Sequence, residues 1–503
     1  MKILLELRPA LEGHSGIPQE ARLLFRGLAL LKGVSVEGLL QSSSRRLARG
    51  LPPDDAALEQ WAQDKRINRL SRVVVSLQPG KGRGIVARVS DILMLGVASV
   101  LMIVGTALGR RQSLTRFDPL RFKDFVWRAL FARTLPSEDF DAVTTAGYRV
   151  ARLPWGAAHA CGLLTRRFGV AIYPRLETRG YDLMIAETPY PGRVSAATRL
   201  VVRYHDAFPL LMPHTITDRS RHQASHYQAL RRNVRDGAWF ACVSEASRKD
   251  LISIFPEVEP RTTTIPNMVS HRYFAEDSSP GQVPKVLRTR ANQRVKGVMK
   301  KRGFADPSRD SFKHDDPPQY LLMVSTLEPR KNHLGLLAAW EQLRSSGNPR
   351  LQLVLVGMLG WDHKSIMNKL LPWISQGLVH ILDDVPAAEL RLLYRHAQVT
   401  VCPSFGEGFG FSGVEAMRCA GVVAASDLPV HREIYADAAV YFDPYSSGSI
   451  VSALMKLMEP GDGSQELRRT LVEKGNAVSA RYMPEAVLPS WQAFLDSFNA
   501  TAT

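Results

Sequence analysis

Six short apolar runs, at 320–325, 351–356, 379–382, 399–402, 422–425 and 439–442, alternate with stretches of helical periodicity. That alternation narrows the second half of the chain to one kind of fold. Runs this short, apolar throughout and separated by helices, are strands of a parallel sheet covered on both faces. The first half repeats the pattern less cleanly, with strand-like runs at 2–7, 183–186, 200–204 and 240–243, the last followed by Ser244 as a helix cap candidate. The fold class expected is α/β, with two doubly wound, Rossmann-like domains facing each other across a cleft. The expected division is 1–274 for the first domain, 275–318 for a basic linker rich in breakers, 319–480 for the second domain and 481–503 for a last helix. Within the first domain, 35–180 has weak periodicity and reads as an enlarged section.

Charge and apolarity add two features. The formal net charge is +17, concentrated at 65–90 and 285–302, stretches without an acidic residue. In the second, Leu287, Ala291, Val295, Val298 and Met299 recur at helical spacing. Such a helix suits either an anionic membrane surface or a solvated linker. Residues 92–108 form an uncharged apolar run at the lower limit for a membrane span. Chain stretches on both sides of it belong to one domain, which argues for an interfacial or re-entrant helix in an insertion at about 85–112, ahead of a buried core helix or a true span. The four cysteines are scattered, without metal-ligand spacing, and the start of the chain lacks the apolar h-region of a secretory leader. No metal site is expected, and a cytoplasmic protein, peripheral on the inner face of the plasma membrane, is.

The segment SFGEGFGFSGVEAM (404–417) holds most of the chemistry. Four glycines, Gly406, Gly408, Gly410 and Gly413, lie between a strand and a helical pattern, flanked by Glu407 and Glu415. A glycine loop at a helix start offers backbone N–H groups to phosphate. The two carboxylates would repel a phosphate, so they suit sugar hydroxyls. The segment reads as a site for a sugar joined to a nucleotide through diphosphate, or else as a capped structural turn with Ser404 and Glu407 as its capping box.

In doubly wound domains, ligands sit at the carboxyl ends of the strands. Arg330 and Lys331 follow the 320–325 strand and could neutralise a diphosphate leaving group. Gly16 follows the first strand. His205, after the 200–204 strand, could bond a sugar hydroxyl or be structural, and Asp206 could cap a helix. Asp139 and Asp141 fit the letters of a metal-binding DxD pair, a short and common pattern. No motif with interleaved aromatics supports nucleic acid.

With these residues in hand, the chain resembles the family 4 glycosyltransferases, retaining enzymes of GT-B architecture, and in particular their mannosyltransferase-like members. The likeness rests on STLEPRKNHLGLLAAW (325–340), LVLVG (353–357), DVPAAELRLLYRHA (384–397), the E-x7-E segment from Glu407 to Glu415, and SDLPVHREIYADAAVYFDP (426–444). VVRYHDAFPL (201–210), CVSEASRKDL (242–251) and IPNMV (265–269) extend it into the first domain, whereas 35–180 shows none. The chain departs from the family in having Ser412-Gly413 after the FG-aromatic element and Gly421-Val422-Val423 before the next strand. The resemblance implies that Arg330 and Lys331 hold the donor diphosphate, Glu407 contacts the transferred sugar and Glu415 binds the ribose hydroxyls. It also implies that the backbone at Gly410 and Phe411 approaches sugar or phosphate, with Gly16 near the diphosphate and His205 near the donor sugar. It implies no cofactor: the donor is a GDP- or UDP-sugar, and the acceptor a lipid-linked or polysaccharide glycan of the cell surface, such as lipopolysaccharide. A GT-B epimerase, or a basic membrane- or nucleic-acid-binding protein without catalysis, are the competing readings.

Overall fold

The computed structural model describes residues 1–11, 13, 16–78, 85–169, 171–216, 219–301, 303–304 and 317–500. The first domain is built on β1 (Lys2–Glu6), β2 (Ser35–Leu40), β4 (Thr115–Phe117), β5 (Gly147–Val150), β7 (Leu183–Ala186), β8 (Arg199–Tyr204), β9 (Trp239–Cys242) and β10 (Thr262–Thr264), with β3 (Arg111–Gln112) and β6 (Arg175–Leu176) forming a small separate pair. The sheet order is β10-β9-β8-β7-β1-β2-β5-β4, parallel except for the antiparallel edge strand β4. The weakly periodic section supplies β2, β4 and β5 together with two long helices, Gln63–Leu77 and Ile85–Ala107.

The second domain has β11 (Tyr320–Val324), β12 (Gln352–Val356), β13 (Val379–Leu382), β14 (Val399–Cys402), β15 (Val423–Ser426) and β16 (Ala439–Phe442). Their order, β13-β12-β11-β14-β15-β16, is wholly parallel and places the topological switch between β11 and β14. The strands carry almost no exposed residue, because helices cover both faces and their apolar side chains fill two cores.

The basic stretch at 285–302 is not one amphipathic helix. It divides into Val283–Thr289 and Gln293–Lys301, because Ala291 pairs with Leu382 at the edge of β13 and Asn292 N donates to Ile381 O (2.9 Å). Leu287, Val295 and Met299, the stripe that suited a membrane surface, are buried in the second domain's cores. Lys285, Arg288, Arg294, Lys300 and Lys301 are exposed on the other side, whereas Arg290 pairs with Glu389.

The helix Pro484–Ala500 returns to the first domain. Val487, Trp491, Leu495 and Phe498 recur at helical spacing and share a core with Ile3, Leu5 and Phe25. Trp491 is fully buried, with the Arg203 guanidinium 5.3 Å from its ring centroid. Trp491→Ala is therefore expected to destabilise the first domain by about 3–5 kcal/mol, read as a lowered urea midpoint of that domain's transition.

Candidate active site

Between β14 and the helix Phe411–Arg418 the chain must turn within a narrow space, and its glycines meet a different neighbour at each step. A Cβ on Gly406 would lie 2.4 Å from the Phe208 ring, one on Gly408 2.0 Å from the His205 carbonyl oxygen, and one on Gly410 2.3 Å from the Tyr435 hydroxyl. Gly410 also has φ of 89°, the left-handed region, and precedes the helix without any side-chain cap. Ser404 lies too far upstream to cap that helix; its hydroxyl donates to Glu407 Oε1 at 2.6 Å. The capping-box reading of the segment is thus overturned: Ser404 holds a carboxylate, not a helix end.

Glu407 is clamped by cations. Lys331 Nζ donates to its Oε1 at 2.6 Å and Arg330 Nη1 to its Oε2 at 3.3 Å. Arg330 also donates to Gly406 O (2.6 Å) and to Glu328 Oε1 (3.1 Å), and its guanidinium stacks 4.6 Å over the Phe208 ring of the other domain. Burial works to raise the Glu407 pKa, but the Lys331 and Arg330 charges and the Lys331 and Ser404 hydrogen bonds hold it far below the usual carboxylate range. Asn332, in the left-handed region at φ 60°, places this pair: its Oδ1 accepts from Gly335 N and its Nδ2 donates to Pro444 O, starting the helix His333–Ser345 directly behind Lys331.

Glu415 lies one helical stretch further on and is held differently. Tyr394 OH donates to Oε2 (2.9 Å), and Gln19 Nε2, from the first domain's helix Ile17–Leu30, donates to Oε1 (3.1 Å). Burial dominates and pushes its pKa up to about 7 against these stabilising bonds. Glu415 and Gln19 line a cavity of about 390 Å³ between the domains, which runs to Ser325, Gly357 and Asp383 at the ends of β11, β12 and β13. Arg133, from the enlarged section of the first domain, lines it too.

His205 packs against the glycine loop through its own carbonyl, which accepts from Ser247 Oγ (3.0 Å), while Ser244 Oγ donates to Gly408 O (2.8 Å). Its Nε2 is 3.5 Å from Glu187 Oε2; Glu187 is fully buried and His205 nearly so. Burial and then the Arg203 charge lower the His205 pKa to about 4, whereas burial raises that of Glu187 to about 8 despite Arg203. These shifts favour an uncharged imidazole beside a protonated carboxyl, and neither Glu187 oxygen nor His205 Nε2 has a hydrogen-bond partner among the described residues. Asp206 does not cap the following helix, whose N-cap is Ala207; its Oδ1 instead accepts from Phe208 N (3.2 Å) in a local turn contact. Gly16, at φ 70°, is the N-cap of Ile17–Leu30, the helix that carries Gln19. Asp139 pairs with Arg26 (2.8 Å) and Asp141 with Lys123 (3.0 Å), so the DxD letters mark two separate ion pairs.

The glycine loop thus carries one carboxylate held by a cation pair and leads into a helix whose own carboxylate, Glu415, lines a cavity between the domains. Residues 305–478 match the model of the family described as "Glycosyl transferases group 1". Over those residues, about a third of the chain, it is similar to the group 1 glycosyltransferases. Among curated group relatives, O-antigen chain mannosyltransferase B of Escherichia coli is 28% identical over 262 residues, which is 52% of this chain and 61% of that protein. The serotype-specific mannosyltransferase WbdA of Escherichia coli is 35% identical over 135 residues, 26% of this chain but only 16% of that one. The chain thus spans less than two thirds of these relatives. Among solved structures, sucrose-phosphate synthase from Thermosynechococcus elongatus aligns over 100% of both chains with TM-score 0.55 and 14% identity. HepE from Anabaena, solved with UDP-glucose, aligns over 99% of this chain and 100% of its own with TM-score 0.52 and 15% identity. At such identities these two speak for the fold, which is GT-B.

Within the group 1 frame, the structure brings Arg330, Lys331 and Glu407 into one cluster, sets Phe411 at the start of the helix that carries Glu415, and puts Gly16 and His205 across the cleft. Sequence reasoning missed Gln19, Glu187 and Arg133. Glu187 directly follows the carboxyl end of β7, a strand end that the sequence reading passed over, whereas Gln19, inside the helix after β1, and Arg133 carry no local signal.

Proposed function

We propose that this protein transfers a sugar from a nucleotide-diphosphate sugar to a lipid-linked or polysaccharide acceptor, with retention of configuration. The observation that carries this reading is the clamp of Lys331 and Arg330 on Glu407 in the glycine loop, which leads directly into the helix whose Glu415 lines the cavity. In it, Glu415 accepts from the ribose hydroxyls, and Gly16 and the backbone at Gly410 and Phe411 approach the diphosphate and sugar. Lys331 and Arg330 neutralise the charge that grows on the leaving diphosphate, a gain realised chiefly in the transition state. Glu407, freed from part of its cation pairing by the incoming phosphate, turns its oxygens to the sugar hydroxyls. The departing phosphate oxygen takes the acceptor's proton, so no protein nucleophile is required and the two glutamates need no hydrolase-like spacing. His205 faces the donor sugar with its neutral imidazole.

The likeness to the O-antigen mannosyltransferases supports mannose as the sugar, from a GDP- or UDP-linked donor, and a place at the inner face of the plasma membrane in cell-surface glycan synthesis. Residues 1–274 form the acceptor side and 319–480 the donor side. The deciding experiment incubates the protein with labelled GDP-mannose or UDP-glucose and glycan acceptors, then assigns the anomeric configuration of the product by NMR. An α-linked product supports the reading; epimerised free sugar, or no turnover of any nucleotide sugar, overturns it.

Glu415 gives this reading a pH signature. Its pKa in the folded chain, about 7, lies above the ordinary 4.5, so its contribution to stability is full below 4.5 and is lost as pH rises through 7. A ribose diol donates two hydrogen bonds and favours the ionised carboxylate. Nucleotide affinity is therefore expected to rise as pH increases through about 7 and then to level off, whereas Glu415→Gln binds more weakly and without that step. Calorimetric titration with GDP and UDP on either side of pH 7 checks this.

A further inference from the structure

The helix Ile85–Ala107 carries an apolar stripe that nothing in the described fold covers. Val97, Val100, Leu101, Val104 and, just beyond the helix, Leu108 recur at helical spacing and are each 51–70% exposed. The opposite side is seated: Ser99 Oγ donates to Ala157 O (3.2 Å) of the helix Trp155–Thr165, and Met102 is buried beside Cys161. The helix is thus fixed on one side and bare on the other, and a contiguous apolar stripe in water is a mark of an interaction surface. Among the described residues, no helix is long and apolar enough to cross a membrane.

Cations bracket it. Leu95 and Ala98 share a small core with Leu153, the residue after Arg152. The segments following β2 and β5 leave the sheet side by side, with Ala151 N donating to Leu40 O and Trp155 N to Ser42 O. Ala48 N donates to Ser76 Oγ (3.1 Å), which brings the helix Gln63–Leu77 alongside. These contacts gather Arg46, Arg49, Arg69 and Arg152 in one place. Burial, and then the charges of Arg46, Arg49 and Arg69, lower the Arg152 pKa. Among the described residues, no carboxylate bonds to any of these four, and Arg152 Nε is buried without a partner. At the far end of the stripe stand Arg110 and Arg111, the latter 3.3 Å from Glu177. The fold gains nothing by massing like charges without acids; an anion supplied from outside would satisfy them.

We propose that this face docks on an anionic lipid bilayer, with the four-arginine cluster seating the phosphate of the lipid-linked acceptor. Arg46 and Arg49 follow β2 and Arg152 follows β5, so the cluster stands at the carboxyl ends of the first sheet, where the cleft lies, and beside the stripe through Leu153. A phosphate seated there would join a lipid on the stripe to a glycan at the cleft. The acceptor half rests on the transfer reaction proposed above; the docking half does not.

The test uses phosphatidylcholine vesicles with and without phosphatidylglycerol, and two variants at exposed positions, Val100→Glu with Leu101→Glu and Arg46→Gln with Arg49→Gln. The native chain should sediment with the phosphatidylglycerol vesicles, and each variant should bind at least about tenfold more weakly. The arginine variant should also raise KM for a lipid-phosphate glycan about tenfold or more while leaving transfer to the phosphate-free glycan unchanged. Equal vesicle binding by native and variant chains overturns the proposal. So does inorganic diphosphate binding at the arginines without any vesicle binding, which would make the cluster a soluble-phosphate site. Vesicle binding that depends on these residues, without transfer to any acceptor, upholds the docking face and sinks the transfer reading instead.

Discussion

Lys331→Ala is expected to lower the rate of the proposed sugar transfer by about 10²-fold or more while leaving the overall fold in place. Lys331 Nζ sits 2.6 Å from Glu407 and closes the cation pair that the proposed reaction sets against the leaving diphosphate. Its loss removes a preorganised charge at the point where negative charge develops, an effect worth about 10²–10³ in kcat where single donors have been removed from comparable sites. Arg330 remains, 3.3 Å from the same carboxylate and tied to Gly406 and Glu328, so the loop keeps its main anchor. The stability cost is therefore smaller than that of leaving a buried carboxylate wholly unpaired, about 3–5 kcal/mol. Lys331→Arg restores charge but not the compact single-point contact, and recovers only part of the rate. Glu407→Ala should cost at least about tenfold through lost sugar contacts. Steady-state kinetics with a fixed donor decide the matter: a Lys331→Ala enzyme within about threefold of the native kcat removes Lys331 from the site.

The second large effect comes from a single methyl group. Gly408→Ala would put a Cβ 2.0 Å from the His205 carbonyl oxygen, about 1 Å closer than side chains tolerate. Neither partner can yield easily. The His205 carbonyl is held by Ser247, the Gly408 carbonyl by Ser244, and the Glu433 carboxylate of the second domain accepts from the N–H groups of Glu245 and Ala246 at 2.6 and 3.0 Å. The substitution must wedge the domains apart or shift the loop that carries Glu407, and a displacement of about 1 Å at a reacting centre costs on the order of 10²-fold in rate. Each domain has its own core and keeps it, so circular dichroism should change little while activity collapses. Gly347→Ala, in a loop where an added methyl meets nothing, controls for a general effect of replacing glycine, although its φ of 125° makes it mildly strained.

Much of the second domain was legible because local signals agree there. All six strands lie where apolar runs fall between helical stretches, and the helix behind Lys331 starts at the residue that caps it. What escaped was set by distant contacts. Gln19 reaches Glu415 across 396 positions of sequence, and no periodicity announces such a meeting. The basic stretch read as one helix because its stripe has helical spacing throughout, but Ala291 finds a strand edge at Leu382 and the helix yields to it. Ser404 and Glu407 have the letters of a capping box, yet the glycines between them and the helix carry the chain away, and the pair becomes a hydrogen bond inside the site. In the first domain, β2 and β5 lie more than a hundred residues apart with helices between, so their pairing depends on sheet closure and not on local pattern.

The returning helix Pro484–Ala500 has a consequence for how the molecule comes into being on the ribosome. The first domain's strands emerge early, but the core beneath them is filled by Val487, Trp491, Leu495 and Phe498, which are synthesised only after the whole second domain. The early domain must wait, with an apolar face uncovered, while its neighbour is translated and folds ahead of it. Vectorial synthesis thus favours folding of the later domain first, the reverse of the usual order, and makes the nascent first domain a natural client for chaperones.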